Sequence, residues 1–173
     1  MKKLICILTV IFSFTARANM QTLYDSVFTE TVFRTIDNQE IQLSQFAGKV
    51  VVFDFWETWC GPCIHGFKSL TKAIKKFPDD FVVIAVNSLK GDTEEVARKF
   101  VNENDYDFIF VYSDGVFEKL NGTGIPFKVF FDPEGKYITH STGLTLFPTE
   151  YSKLKKIIKR NRLKSLNSKR SLK

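Results

Sequence analysis

The chain reads as one α/β domain, a mixed sheet covered by helices on both faces. Three observations predict it. Val50 to Phe55 is a nearly continuous apolar run rich in β-branched residues, which suits a strand buried on both faces. The run Trp59-Cys60-Gly61-Pro62-Cys63 follows at once. Ile64, Phe67, Leu70, Ile74 and Phe77 then recur at spacings of three and four, which marks one face of a helix.

The remaining elements follow in order. Phe81 to Val86 is a second buried strand. Asp92-Thr93-Glu94-Glu95 resembles an acidic capping box, opening a helix whose apolar face is Val96, Phe100 and Val101. Phe108 to Tyr112 is a short strand, and Val116 to Leu120 spans one or two helical turns. Phe127 to Phe131 is a strand, Asp132-Pro133-Glu134-Gly135 a turn, and Lys136 to Thr142 the returning arm of a hairpin. Thr149 caps a last helix that buries Tyr151, Leu154, Ile157 and Ile158. Strands alternating with helices and ending in a hairpin predict the mixed sheet.

The ends differ from the middle. Residues 1–18 read as a secretory signal peptide: Lys2 and Lys3 lead, Leu4 to Phe14 is apolar but too short to span a bilayer, and Ala16-Arg17-Ala18 has a cleavable small-x-small form. Residues 19–160 are assigned to the domain and 161–173 to a basic, disordered tail. From Lys153 to Lys173 there are ten Lys/Arg and no acid. All 19 acids lie between Asp25 and Glu150, against 12 Lys/Arg there, a net charge of −7 within a chain of +6. The high pI belongs to the ends, so charge gives no support to nucleic-acid binding by the domain. The tail suits a solvated terminus or weak contact with anionic lipids.

A Cys-x-x-Cys pair can hold half of a metal site or shuttle between dithiol and disulfide. Structural zinc wants four Cys/His ligands. Beyond Cys60 and Cys63 the chain has only Cys6, His65 and His140, so redox chemistry leads and no metal or cofactor is expected. Cys6 lies within the signal and leaves with it, so a bridge in the exported chain can only be Cys60–Cys63. At a strand–helix junction the Cys60 sulfur meets unpaired N–H groups and the positive end of the helix, which favour the thiolate. Cys60 is thus the attacking cysteine, and Cys63, one turn on and more buried, the resolving one. Pro62 lacks an N–H and suits the first turn. Pro126 precedes a strand and can be cis or trans.

Val52-Phe53-Asp54-Phe55-Trp56, Trp59-Cys60-Gly61-Pro62-Cys63 and Gly124-Ile125-Pro126 together resemble the thioredoxin-like superfamily. The signal peptide, the lead-in from Ile41 to Gly48-Lys49, and an extra helix and strand between Gly91 and Tyr112 look most like its exported TlpA/ResA type of thiol–disulfide oxidoreductase. The resemblance covers roughly residues 28–158. It implies a thioredoxin-like fold with a helix–strand insertion, and a Pro126 that is cis and packs against the disulfide. It further implies a substrate groove formed by Trp59, Gly61, Pro62, Ile125 and Pro126, with Ile125 offering backbone to a bound strand. Asp54 falls where thioredoxin keeps a buried acid, able to take the Cys63 proton.

Some positions depart from the family pattern. Glu57 replaces a small residue and reads as a solvated loop acid, the alternative being a second titratable group near Cys60. Gly66 stands where exported relatives often have Glu, Lys68 where many have a kinking proline, and Phe127 where Thr is frequent. His65 and His140 read as surface residues.

The expected activity is exported, periplasmic or otherwise extracytoplasmic reduction of disulfide-containing proteins, apocytochrome c among them. A membrane thiol-electron carrier supplies the electrons, because a dithiol does not stay reduced in an oxidising space unaided. Alternatives are disulfide donation, a copper or zinc carrier using Cys60, Cys63 and His140, and a peptide-binding module with incidental cysteines.

Overall fold

The computed structural model describes residues 21–113 and 115–171; for 164–171 it describes the helical path without side chains. The expected signal peptide lies outside the described residues. A first helix, α1 (21–30), precedes a small hairpin of β1 (Val32–Arg34) and β2 (Glu40–Gln42). Neither was expected from sequence. Tyr24, Val27 and Phe28 do stand at helical spacing, a local signal that went unread, and with Phe33 they are buried against partners far along the chain.

A short 3-10 turn (Leu43–Phe46) leads into β3 (Val50–Trp56), and α2 (Gly61–Lys76), β4 (Phe81–Asn87), α3 (Glu94–Asn102) and β5 (Ile109–Tyr112) follow. Then come α4 (Val116–Lys119), β6 (Phe127–Phe131), β7 (Tyr137–Thr142) and α5 (Thr149–Ser171). The main sheet has the order β5-β4-β3-β6-β7. β3 runs parallel to β4 and antiparallel to β6, so the sheet is mixed.

Every residue of β3 is buried. Alternate side chains serve two cores. Val50, Val52 and Trp56 face α2, α3 and α5, while Val51, Phe53 and Phe55 face α1 and α4. Helices therefore cover both faces, as expected. α2 is one continuous helix that buries Cys63, Gly66, Phe67, Leu70, Ala73 and Ile74. Phe67 is its anchor, with ring contacts to Trp56, Tyr106 and Phe108 at 5.5, 5.1 and 5.1 Å.

Two expectations change. Val96 is exposed on α3, where Ala97 is the buried residue, because a nine-residue helix can bury only a narrow stripe. The helix α5 runs past residue 160, where the disordered tail was placed, to Ser171. Asn161 is buried and donates to the Ile157 carbonyl at 2.9 Å, and Arg162 pairs with Asp80 at 3.4 Å. Both contacts are made by residues beyond position 160. Among the described residues no helix is long and apolar enough to cross a membrane.

Phe67→Ala removes the ring that joins α2 to the sheet. It is expected to cost about 3–5 kcal/mol, read as a lower denaturation midpoint with unchanged slope.

Candidate active site

The central strand ends and the site begins within four residues. Cys60 is the N-cap of α2, and its Sγ accepts from the Cys63 N–H at 3.3 Å. The two sulfurs are 2.00 Å apart, a disulfide. Cys60 is 3% exposed and Cys63 fully buried, so Cys60 is the more accessible of the two. Trp59 is 64% exposed beside them. Gly61 and Pro62 are exposed at the first turn. The Ile125–Pro126 peptide is cis, and Ile125 packs on the apolar cluster that holds both cysteines. A second cis bond, Phe147–Pro148, was not anticipated.

Asp54 lies six residues before Cys60, and its parity on β3 turns it toward the α2 face with Val52 and Trp56. It is fully buried. β6 places Lys128 directly opposite it in register, and the ammonium lies 3.2 Å from Asp54 Oδ1 and 3.3 Å from Glu150 Oε1 at the start of α5. Burial pushes the Asp54 carboxyl up to about 6, against the pull of Lys128 and with a further push from Glu150. Burial works to lower Lys128, but its two carboxylate partners overcome this and hold it above the ordinary lysine range.

Gly66 explains itself here. A Cβ on it would lie 3.2 Å from Lys128 Nζ and 3.6 Å from Glu150 Oε2. The charged trio therefore sits directly under α2, one turn beyond Cys63.

Glu57 is the main correction on the other side of the motif. It is buried, not solvated. Its carboxylate accepts from Trp59 Nε1 (2.5 Å), from Ser88 Oγ, and from the backbone N–H groups of Lys90, Gly91 and Asp92 (2.9, 2.7 and 3.1 Å). Burial works to raise it, yet these donors hold it below the usual carboxylate range. Gly91 permits this close approach, since a Cβ there would lie 2.5 Å from Trp59 Nε1 and displace it. Asp92, expected to start a capping box, instead accepts from Thr58 N, Thr58 Oγ1 and Asn87 Nδ2 at 2.7, 2.6 and 2.8 Å. Thr93 is the actual N-cap of α3. Two carboxylates thus tie the loop before Cys60 to the loop after β4.

His65 is exposed, and His140 lies on β7 with Nδ1 against the Tyr137 hydroxyl at 2.7 Å. Among the described residues no cluster of three or more His, Cys, Asp or Glu could hold a metal.

Sequence reasoning missed Lys128 and Glu150. One signal was present: Lys128 is the single charge in the strand Phe127–Phe131, as Asp54 is in Val50–Trp56. Opposite charges centred in two buried strands point to a pair.

A cysteine pair at the start of the helix that leaves the central strand, with a cis Ile125–Pro126 bond leading into β6, defines a thioredoxin-fold protein. The chain belongs to the AhpC/TSA family, whose model matches residues 25–145. Thioredoxin-like protein YneN of Bacillus subtilis strain 168 is 29% identical over 104 residues, 59% of this chain and 61% of that one. The thiol-disulfide oxidoreductase ResA of Oceanobacillus iheyensis is 32% identical over 103 residues, 58% of this chain and 53% of that one. The chain thus matches between half and two thirds of the length of these relatives. Among solved structures, the exposed lipoprotein thioredoxin Etrx1 of Streptococcus pneumoniae strain TIGR4 aligns with a TM-score of 0.63 and 26% identity, over 73% of this chain and 98% of that one.

Two expectations follow. Because Asp54 is raised from 3.8 to about 6, the folded state binds its proton more tightly than the unfolded chain. Stability is gained as pH falls through about 6 towards 4 and is lost above. Asp54→Asn should therefore be more stable than the parent at pH 8, with the gap closing by pH 4 in parallel urea titrations. Glu57→Gln should cost about 1–3 kcal/mol at pH 7. With Glu57 held below its ordinary 4.5, that deficit is complete above 4.5 and shrinks as pH falls through the native midpoint. Trp59 emission should change with it.

Proposed function

We propose that this chain is an exported thiol–disulfide oxidoreductase that reduces disulfides in partner proteins. The carrying observation is the Cys60–Cys63 disulfide at the start of α2, with the Cys63 N–H on Cys60 Sγ. A helix start stabilises a thiolate at Cys60 in the reduced state.

The reaction balances as two exchanges. The Cys60 thiolate attacks one sulfur of the substrate disulfide, forms a mixed disulfide and displaces the other sulfur as a thiolate. Cys63 gives its proton to Asp54 and attacks Cys60 Sγ, which releases the second substrate thiolate. The substrate gains two electrons, and the Cys60–Cys63 dithiol becomes the disulfide. A membrane thiol-electron carrier returns the dithiol.

Trp59, Gly61 and Pro62 on one side, and Ile125 and Pro126 on the other, form the substrate groove, with Ile125 offering its backbone to an extended segment. Substrates are disulfide-containing proteins of the exported space, apocytochrome c among them. The signal-like residues 1–18 support export, as does the likeness to a lipoprotein thioredoxin described as exposed. The basic run from Lys153 to Lys173 suits contact with anionic lipid headgroups.

Cys63→Ser should accumulate a mixed disulfide through Cys60 in the exported fraction, released by dithiothreitol and identified by mass spectrometry. Cys60→Ser should capture nothing and lose insulin-reducing activity. A Cys60 thiolate midpoint near about 4 would instead assign disulfide donation.

A further inference from the structure

Asp54, Lys128 and Glu150 form a group whose charges do not cancel. One ammonium lies between two carboxylates, 3.2 Å from the first and 3.3 Å from the second. The side chains are 0%, 5% and 10% exposed in the order Asp54, Lys128, Glu150. With all three ionised the group carries −1. One added proton makes it neutral.

Placing that proton on Asp54 would ordinarily strand Lys128. A buried ammonium that loses its only partner is strongly disfavoured, so a simple Asp54–Lys128 pair would lock the aspartate in its ionised form. Glu150 removes the lock, because Lys128 keeps one carboxylate whether Asp54 is protonated or not. Glu150 and Lys128 also line a cavity of about 270 Å³, with Thr139, His140, Ser141 and Lys153. That space can admit water. Asp54 is not among its lining residues. The trio therefore joins a closed end under α2 to an end that reaches the cavity.

We propose that Lys128 and Glu150 are positioning residues that keep Asp54 able to take up and release one proton while the cysteine pair turns over. The proposal rests on Asp54 as the acceptor of the Cys63 proton. In the resolving step the Cys63 S–H bond breaks, its electron pair attacks Cys60 Sγ and its proton passes to Asp54. Lys128 stays charged, paired with Glu150. When the dithiol is restored, the proton returns.

The surroundings leave these two residues in control. β4 brings Ala85 opposite Asp54, and α2 brings Gly66 above the trio. His140 of β7 and Lys153 of α5 stand on the cavity side. Lys72 of α2 lies over the Phe147 and Tyr151 rings, at 5.3 and 4.8 Å. The raised midpoint of Asp54 agrees with the geometry: Lys128 pulls it down and Glu150 pushes it up.

The test follows the Asp54 side-chain carbon by NMR across pH in the oxidised protein, assigned by its loss in Asp54→Asn. Glu150→Gln should lower the Asp54 midpoint by about one unit, and Lys128→Met should raise it by at least about one unit. Glu150→Asp should restore it. Loosened packing would admit water and lower the midpoint in both variants, so the opposite signs distinguish positioning from a structural role. A Lys128→Met midpoint that stays or falls, or a Glu150→Gln midpoint that stays or rises, overturns the proposal.

Stopped-flow resolution of a mixed disulfide supplies the second readout. Its acid limb should move down in Glu150→Gln, up in Lys128→Met and vanish in Asp54→Asn. A limb unmoved in Asp54→Asn would take Asp54 out of the reaction and overturn the reading beneath the proposal, whatever the NMR midpoints show.

Discussion

Burying Asp54 in the middle of a strand with no exposed residue is the constraint around which the site is arranged. A lone carboxylate there would be intolerable. β6 must therefore run antiparallel beside β3 in the register that sets Lys128 opposite Asp54, and α5 must begin where Glu150 can reach the same ammonium. α2 passes overhead with a glycine at position 66, where a Cβ would lie a tight 3.2 Å from the Lys128 ammonium. One electrostatic requirement thus links two strands and one helix far apart in sequence, and the group they form lies against the helix that carries the cysteines.

A second buried carboxylate does the opposite work at the mouth of the site. Glu57 is surrounded by donors and is held ionised, while Asp54 is short of donors and is held near the edge of ionisation. Paired acids whose environments push them apart are a common way to divide labour in a catalytic site. Glu57 provides fixed geometry: it ties Trp59 to the loop after β4. Asp54 provides a buried titratable group on the face of β3 that α2 covers. Two positions expected to depart from the family pattern acquire a physical basis here. Glu57 belongs with the close approach at Gly91, and Gly66 with the space filled by Lys128 and Glu150.

Legibility followed the range of the interactions. The strand Val50–Trp56, the amphipathic α2, the second strand and the hairpin after Phe131 were all readable, because their patterns of two and of three to four are local. The helix at 21–30 carried a local signal in Tyr24, Val27 and Phe28 that went unread. The β1–β2 hairpin was not readable, since its strands are three residues long and Phe33 is buried only against distant elements. Glu57 was misread for the same reason. Four of its five donors come from residues 88–92, more than thirty positions away.

From sequence alone came the α/β class, the cysteine pair at a strand–helix junction and the suspicion of a buried acid, because motif chemistry and hydrophobic period are written in neighbouring residues. Tertiary structure alone decided which groups stand around that acid. Lys128 and Glu150 meet Asp54 only through strand register and helix packing, and the sign of a carboxyl's shift depends on the balance of burial and partners brought together in space.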